Sequence, residues 1–136
     1  MSIEGLAPKV PLVYDSQHGP YQMIQNYPSL VQQNLKMLLL TSPGERIMVP
    51  EYGVGLRRML FEPATKYTHD VVREKIYQQV QTYMPFLNIK VLDINSGDGV
   101  NVDESLLSIL LRYEIIPLKT NDFLSLNADL NRRVFI

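Results

Sequence analysis

The amino-acid sequence predicts an α+β fold in which two main helices pack on a small antiparallel sheet that contains a long β-hairpin. Three observations support this prediction. The first 26 residues hold three prolines and two glycines, which favours an extended arm. Two later stretches place apolar residues at helical spacing, and the chain then changes to the alternation typical of strands. Helices followed by paired strands predict helices on one face of an antiparallel sheet.

Composition limits the classes of function. The 136 residues suit one domain, and 46% hydrophobic with 20% charged residues is typical of a globular chain. A net charge of −1 favours neither nucleic acid nor an anionic membrane as a partner. The chain has no Cys, which excludes disulfides, thiolate metal sites and cysteine nucleophiles. We expect no cofactor and no bound metal.

The first elements follow from local signals. Residues 1–26 are expected to form the extended arm. A helix is predicted over about 27–40, because Asn26 is a good N-cap and Pro28 is tolerated in the first turn. Pro43 and Gly44 then predict a tight turn.

The middle of the chain combines short elements with a longer helix. Residues 46–49 predict a short strand that ends at Pro50, and residues 56–61 predict one or two helical turns. A second long helix is predicted over 69–83, with Thr68 as N-cap and Pro85 after its end.

Alternating apolar residues predict the hairpin, with strands Leu87–Ile94 and Leu106–Ile116. On the first strand the inward face is predicted to carry Leu87, Ile89 and Val91. The resulting domain spans 27–120. Residues 121–136 are assigned to a C-terminal tail that offers a candidate strand.

Several stretches resemble catalytic or metal sites but fit poorly. Asp93 to Glu104 partly matches an EF-hand calcium loop, yet Asp98 stands where the sharp turn requires Gly. The chain has only two histidines, His18 and His69, and no serine-elbow motif, so a catalytic triad is not expected.

Acidic residues near the glycine-rich turns leave a glycosidase open as an alternative. Such enzymes use two carboxyl groups about 5–9 Å apart, and Glu45, Glu51 and Glu62 are the candidates. Exposed loop acids are far commoner than catalytic pairs, so we expect no catalytic residue and no enzyme activity.

The stretch LVQQNLKMLLLTSPGERIMVPEYGVGLRRMLFEP resembles the sheath-initiator baseplate wedge family of contractile phage tails. That family was long labelled lysozyme-like and is shared with type VI secretion baseplates. The resemblance covers about residues 28–117. The turns that carry it are read as scaffold, and their residues are Gly44, Glu45, Arg46, Pro50, Glu51, Tyr52 and Gly53.

One departure from the family concerns docking. Many members carry Glu-Pro-Arg just after the second helix, where they contact the baseplate wedge. Here the same place reads Met84-Pro85-Phe86. The resemblance therefore implies an apolar wedge-docking contact at these three residues, whereas the alternative is that Met84 and Phe86 fill the domain's own core.

The resemblance implies a structural, non-enzymatic subunit that links the wedge to the first sheath ring. Strand addition at a sheet edge would template sheath polymerisation, with the predicted hairpin and Val134, Phe135 and Ile136 as candidate pairing strands. Implied partners are wedge proteins, the first ring of sheath subunits and neighbouring copies in a six-fold baseplate. The implied location is the virion tail baseplate, assembled in the host cytoplasm. Alternatives are a small lysozyme-type glycoside hydrolase of the tail and the equivalent type VI secretion component.

Overall fold

The computed structural model describes residues 5–16, 20–59, 62, 65–96, 106–129 and 134–135. Three helices and six strands follow one another in these residues: β1 (Ala7–Pro8), β2 (Met23–Ile24), α1 (Tyr27–Leu40), α2 (Leu56–Met59), α3 (Lys66–Tyr83), β3 (Leu87–Ser96), β4 (Leu106–Ile115), β5 (Thr120–Asp129) and β6 (Val134–Phe135). The α+β prediction is confirmed: α1 and α3 pack on one face of an antiparallel sheet ordered β3-β4-β5-β6.

Helix α1 has the bounds that the sequence predicts. The Asn26 side chain accepts a hydrogen bond from the amide of Ser29 at 2.9 Å, so one orphan donor of the first turn is satisfied. The helix ends at Thr41, whose hydroxyl donates to the carbonyl of Met37 at 2.6 Å. Its buried stripe of Val31, Leu35, Leu38 and Leu39 faces the core.

Helix α3 begins earlier than predicted. Thr65, not Thr68, is the N-cap, since its hydroxyl accepts from the amide of Thr68 at 3.2 Å. The apolar stripe begins only after Thr68, so periodicity alone placed the start too late. The exposed Lys66 and Tyr67 add a first turn that carries no core residue.

The sheet contains one more long strand than the sequence predicts. A tail is predicted over residues 121–136, but β5 pairs with β4 along its whole length, from Ile115↔Thr120 to Leu106↔Asp129. Leu124 and Leu126 of β5 are buried in the core. The sheet thus continues past residue 120, where Leu124 and Leu126 join the core while Phe123 lies on the outer face.

A β-bulge at Lys90 changes which side chains of β3 face inward. Ile89 pairs with Tyr113 and Val91 pairs with Arg112, so Lys90 is an extra residue in the ladder. Beyond the bulge the faces exchange: Leu92 is buried, whereas Val91 is exposed. The predicted inward position of Val91 is therefore wrong.

Residues 46–49 are not a strand. They lie in a loop that closes where the Gly44 amide donates to the carbonyl of Pro50 at 2.8 Å. Among the described residues no strand pairs with them, and an apolar run without a ladder partner cannot satisfy its backbone as a strand.

The N-terminal arm folds back on itself. Strand β1 pairs with β2, in the register Ala7↔Ile24 and Pro8↔Met23. Gln33 of α1 fastens the arm to the domain, because its side chain accepts from the Val10 amide at 2.9 Å and donates to the Pro8 carbonyl at 3.1 Å.

Candidate assembly interface

The loop from Thr41 to Gly55, called here the 41–55 loop, joins α1 to α2 and is fixed against α3. Gln79 of α3 donates to the carbonyl of Glu51 at 3.1 Å and accepts from the amide of Gly53 at 3.0 Å. One side chain thus satisfies a donor and an acceptor of the loop backbone.

The returning end of the loop packs against the end of α1. The Gly55 amide donates to the Thr41 carbonyl at 2.9 Å, and the Val54 amide donates to the Leu38 carbonyl at 3.1 Å. Gly53 has a φ of 112°, and a Cβ there would overlap the carbonyl oxygen of Thr41. Only glycine suits this position, because both the backbone angle and the close approach exclude a side chain.

Aromatic contacts hold the loop from a second side. The guanidinium carbon of Arg46 lies 3.9 Å from the centre of the Tyr52 ring. Tyr52 in turn meets Tyr83 of α3 edge-on, with ring centroids 4.9 Å apart. The loop is consequently ordered, and among the described residues Arg46 stacks on an aromatic ring and has no acidic partner.

The tip of this loop exposes large apolar side chains. Ile47 is 93% and Met48 92% exposed, and these two residues are called here the knob. Glu45 and Glu51, on either side of the knob, are exposed and have no ion-pair partner among the described residues. Exposed apolar side chains on a fixed backbone are typical of a surface that meets a partner.

The outer face of the sheet, opposite the helices, carries a groove of about 640 Å³. Its apolar lining comes from three strands in one patch, with Val91, Leu110 and Phe123 as members. Arg112 lies between Val91 and Phe123 in the register of the sheet. Lys90 also lines the groove and pairs with Glu114 at 2.9 Å, whereas Arg112 has no such partner in the part of the chain described.

The two edges of the sheet differ. On β5, Gln32 of α1 donates to the Phe123 carbonyl at 3.0 Å, and β6 pairs with Ala128–Asp129. On β3, no described residue pairs with the outward backbone groups. The open edge of this sheet is therefore β3, which belongs to the predicted hairpin.

The C-terminal strand predicted to pair with sheath lies within this sheet. Val134 and Phe135 form β6 and pair with β5 of the same chain. Ile136 lies outside the described residues. Their pairing with a sheath subunit stays a prediction.

The predicted docking residues divide into one core residue and two surface residues. Met84 is buried among the core side chains, as the core alternative predicts for it. Pro85 is exposed, and Phe86 is partly exposed and accepts from the Ile116 amide at 3.0 Å. Ile116 and Leu118 are also exposed, so an apolar patch adjoins Phe86.

The candidate metal ligands do not assemble into a metal site among the described residues. Within the described ranges no three His, Cys, Asp or Glu side chains are placed to hold a metal ion. His69 lies on α3 with a buried Nε2 that has no hydrogen-bond partner among the residues described. His18 and residues 97–104 of the calcium-like loop lie outside the description. No helix in the described part of the chain is long and apolar enough to span a bilayer.

Two contributors to the surface are missing from the sequence predictions. For Gln79 the only sequence signal is a polar residue beside the apolar stripe of α3. The sequence predicts a strand at the knob, because apolar residues in a short run are normally expected to be buried.

These features define a class of protein: a small α+β domain that presents an open strand edge, a rigid apolar loop and an apolar groove. The chain belongs to the family of baseplate wedge protein gp25, whose family model matches residues 25–117. It is accordingly a wedge-type component of contractile injection systems. The match includes the 41–55 loop and the whole of β3 and β4, and it leaves out β1, β2, β5 and β6.

Solved structures with the same fold come from related assemblies. A crystal structure of a Geobacter sulfurreducens protein provisionally named tail lysozyme has a TM-score of 0.63 and 18% identity, covering 78% of this chain and 94% of that chain. A chain of the anti-feeding prophage baseplate has a TM-score of 0.63 and 20% identity, covering 79% of this chain and 82% of that chain. A chain of the postcontracted pyocin R2 baseplate has a TM-score of 0.55 and 20% identity, covering 76% of this chain and 97% of that chain. A comparison with curated protein sequences gives no match.

Proposed function

We propose that this chain is a structural, non-enzymatic subunit that links the baseplate wedge to the first sheath ring and templates sheath polymerisation by strand addition. The observation that carries the proposal is the open edge of β3 in a sheet whose other edge is occupied by α1 and β6. An added strand would gain main-chain hydrogen bonds from that edge, and alternating side chains would set its register.

The backbone groups available on that edge follow from the ladder. The Phe123 carbonyl points away from β4, since it accepts from Gln32. Antiparallel alternation therefore directs the amide and carbonyl of Arg112 toward β3, and those of Val91 toward β4. By the same alternation Leu92 and Ile94 direct their backbone groups outward, to the open edge.

The wedge side of the subunit is proposed at the apolar patch of Pro85 and Phe86 with Ile116 and Leu118. It adjoins the start of β3, so wedge contact and strand addition would occupy neighbouring parts of one domain. Similarity to the anti-feeding prophage baseplate, which was reconstructed with six-fold symmetry, supports an arrangement of several copies in a virion tail baseplate. A type VI secretion setting is the alternative, and the operon that encodes the chain distinguishes the two.

Residue-resolved hydrogen exchange tests strand addition. The purified chain is measured alone and with its sheath subunit. We expect the amides of Leu92 and Ile94 to exchange fast alone and to become protected with sheath. The amides of Asp93 and Asn95, which face β4, should be protected in both states and serve as internal controls. Sheath assembly without protection of Leu92 and Ile94 would contradict the proposal.

Two further measurements address the remaining assignments. Deleting residues 131–136 should leave a folded chain but block sheath assembly, and normal contractile tails from that deletion would reject the role of the C-terminal strand. A muralytic assay addresses the hydrolase alternative. Activity that disappears in Glu45→Gln or Glu51→Gln would contradict the non-enzymatic assignment.

A further inference from the structure

We propose that the knob of one copy inserts into the outer-face groove of a second copy, so that the chains associate head to tail. This inference names the two surfaces through which neighbouring copies of the chain would meet, and it rests on the proposed function only for the setting in which the copies meet.

The first argument is that the knob is prepared for a partner. Ile47 and Met48 bury almost no apolar surface within the domain, because more than nine-tenths of each side chain is exposed. The loop backbone is nevertheless fixed by Gln79 and by the stacking on Tyr52. A preorganised loop loses little conformational entropy on binding, so most of the apolar burial would appear as affinity.

The second argument is that the knob and groove complement each other in charge and character. The exposed carboxylates of Glu45 and Glu51 flank the apolar knob and have no ion-pair partner among the described residues, whereas the neighbouring Arg46 is stacked on Tyr52. The groove is lined by Val91, Leu110 and Phe123, with the cation of Arg112 among them. Lys90 and Asp122 also line the groove, but Lys90 pairs with Glu114 and Asp122 accepts a hydrogen bond from the Tyr113 hydroxyl. Burying Met48 against this patch would bring an acidic rim next to a basic centre.

The third argument is topological. The 41–55 loop lies on the helix side of the molecule, held to α3 by Gln79, whereas the groove lies on the opposite face of the sheet. A chain therefore cannot fill its own groove. Contacts between two different patches are heterologous, and they build a ring when the rotation closes.

Disulfide trapping tests the contact, since the chain has no cysteine of its own. Met48→Cys marks the knob, and Ser125→Cys marks the groove beside Leu110, its partner in the β-ladder. Mild oxidation of a mixture of the two variants should give heterodimers. The matched control replaces Ser125→Cys with Glu74→Cys, an exposed site on α3. Equal heterodimer yields from both mixtures would overturn the proposal.

Sedimentation of the free chain at increasing concentration provides the second measurement. Association of the natural chain should weaken about tenfold or more in Met48→Asp and in Phe123→Ser, since central apolar contacts dominate such interfaces. Both side chains are exposed, so both variants should fold. A mixture of the two variants should form a 1:1 dimer and nothing larger, because one intact knob meets one intact groove.

Charge reversal gives a third readout. Arg112→Glu should weaken association, and Glu51→Arg in the same chain should restore part of it. A chain that stays monomeric up to about millimolar concentration, the lower limit of useful affinities, would overturn the proposal. So would a knob that binds a wedge protein without any self-association. Protection of Leu92 and Ile94 by the sheath subunit is unaffected by either result, so the two proposals fail separately.

Discussion

Removing the Gln79 amide should release the 41–55 loop from α3. The structure gives the magnitude: two hydrogen bonds, at 3.0 and 3.1 Å, connect this side chain to the loop backbone. Each contributes about 0.5–1.5 kcal/mol to the free energy of unfolding. The Gly53 amide is moreover buried and would lose its partner. We expect Gln79→Met, which keeps the length and flexibility of the side chain, to cost roughly 2 kcal/mol.

Urea unfolding followed by circular dichroism measures this loss in the free energy of unfolding. In thermal unfolding, about 2 kcal/mol corresponds to a fall in Tm of roughly 6–10 °C for a chain of this size. Gln78→Met is the matched control, because Gln78 is the preceding residue of α3 and its side chain is exposed. Gln79→Glu should fall between the two, since the carboxylate still accepts from Gly53 but cannot donate to Glu51.

The comparison of Gln79→Met with Gln78→Met shows whether the two hydrogen bonds of Gln79 to the 41–55 loop stabilise the fold. If Gln79→Met and Gln78→Met unfold at the same urea concentration, the clamp contributes no stability. The loop would then be held by its own turns and by Tyr52. A fall in stability together with weaker trapping at Met48 would connect loop order to the proposed association.

Three other predictions concern backbone and core. Gly53→Ala should destabilise the fold by several kcal/mol because its Cβ meets the Thr41 carbonyl, whereas Gly44→Ala, with φ of 93° and nothing within 4 Å, should cost about 1–2 kcal/mol in urea unfolding. Burial raises the pKa of Tyr113. The contribution of the neutral phenol to the free energy of unfolding should therefore be fully present below about pH 10, where the unfolded side chain is also neutral, and should decrease above it. Tyr113→Phe should reduce that decrease in alkaline unfolding curves. The β-bulge at Lys90 interrupts the open edge of β3 and should limit aggregation through that edge. Deleting Lys90 should therefore keep the pairing of β3 with β4 but increase aggregation, measured as light scattering. Equal scattering from the deletion and from Lys90→Ala would contradict this role of the bulge.

The sequence predicts those parts of the fold where independent local signals agree. Helix α1 is right at both ends because Asn26, Pro28 and the leucine stripe all indicate the same boundary. At α3 two threonines compete as N-caps, and only the hydrogen bond to the Thr68 amide identifies Thr65. Strand β5 has only two buried leucines inward, and apart from Phe123 its outer face is polar, a pattern that a tail also permits.

The candidate surface was less predictable because it depends on distant contacts. Nothing in the order of residues places Gln79 beside Gly53, since the contact spans two helices and a turn. The exposure of Ile47 and Met48 has no signal either, because burial is the ordinary expectation for such side chains. The alternative in which Met84 and Phe86 both fill the core fits Met84, which is buried, but does not fit Phe86, which is exposed.

The bulge at Lys90 reconciles an open strand edge with a chain that must not aggregate. A regular, unpaired edge along all ten residues of β3 would favour pairing with other extended chains. The extra residue interrupts the ladder, and the Lys90–Glu114 pair places charges at that point. Regular pairing is consequently available only from Val91 onward, where Leu92 and Ile94 present the outward backbone groups. An incoming strand meets a short edge with a defined beginning, and this limits both the partners that fit and the register in which they bind.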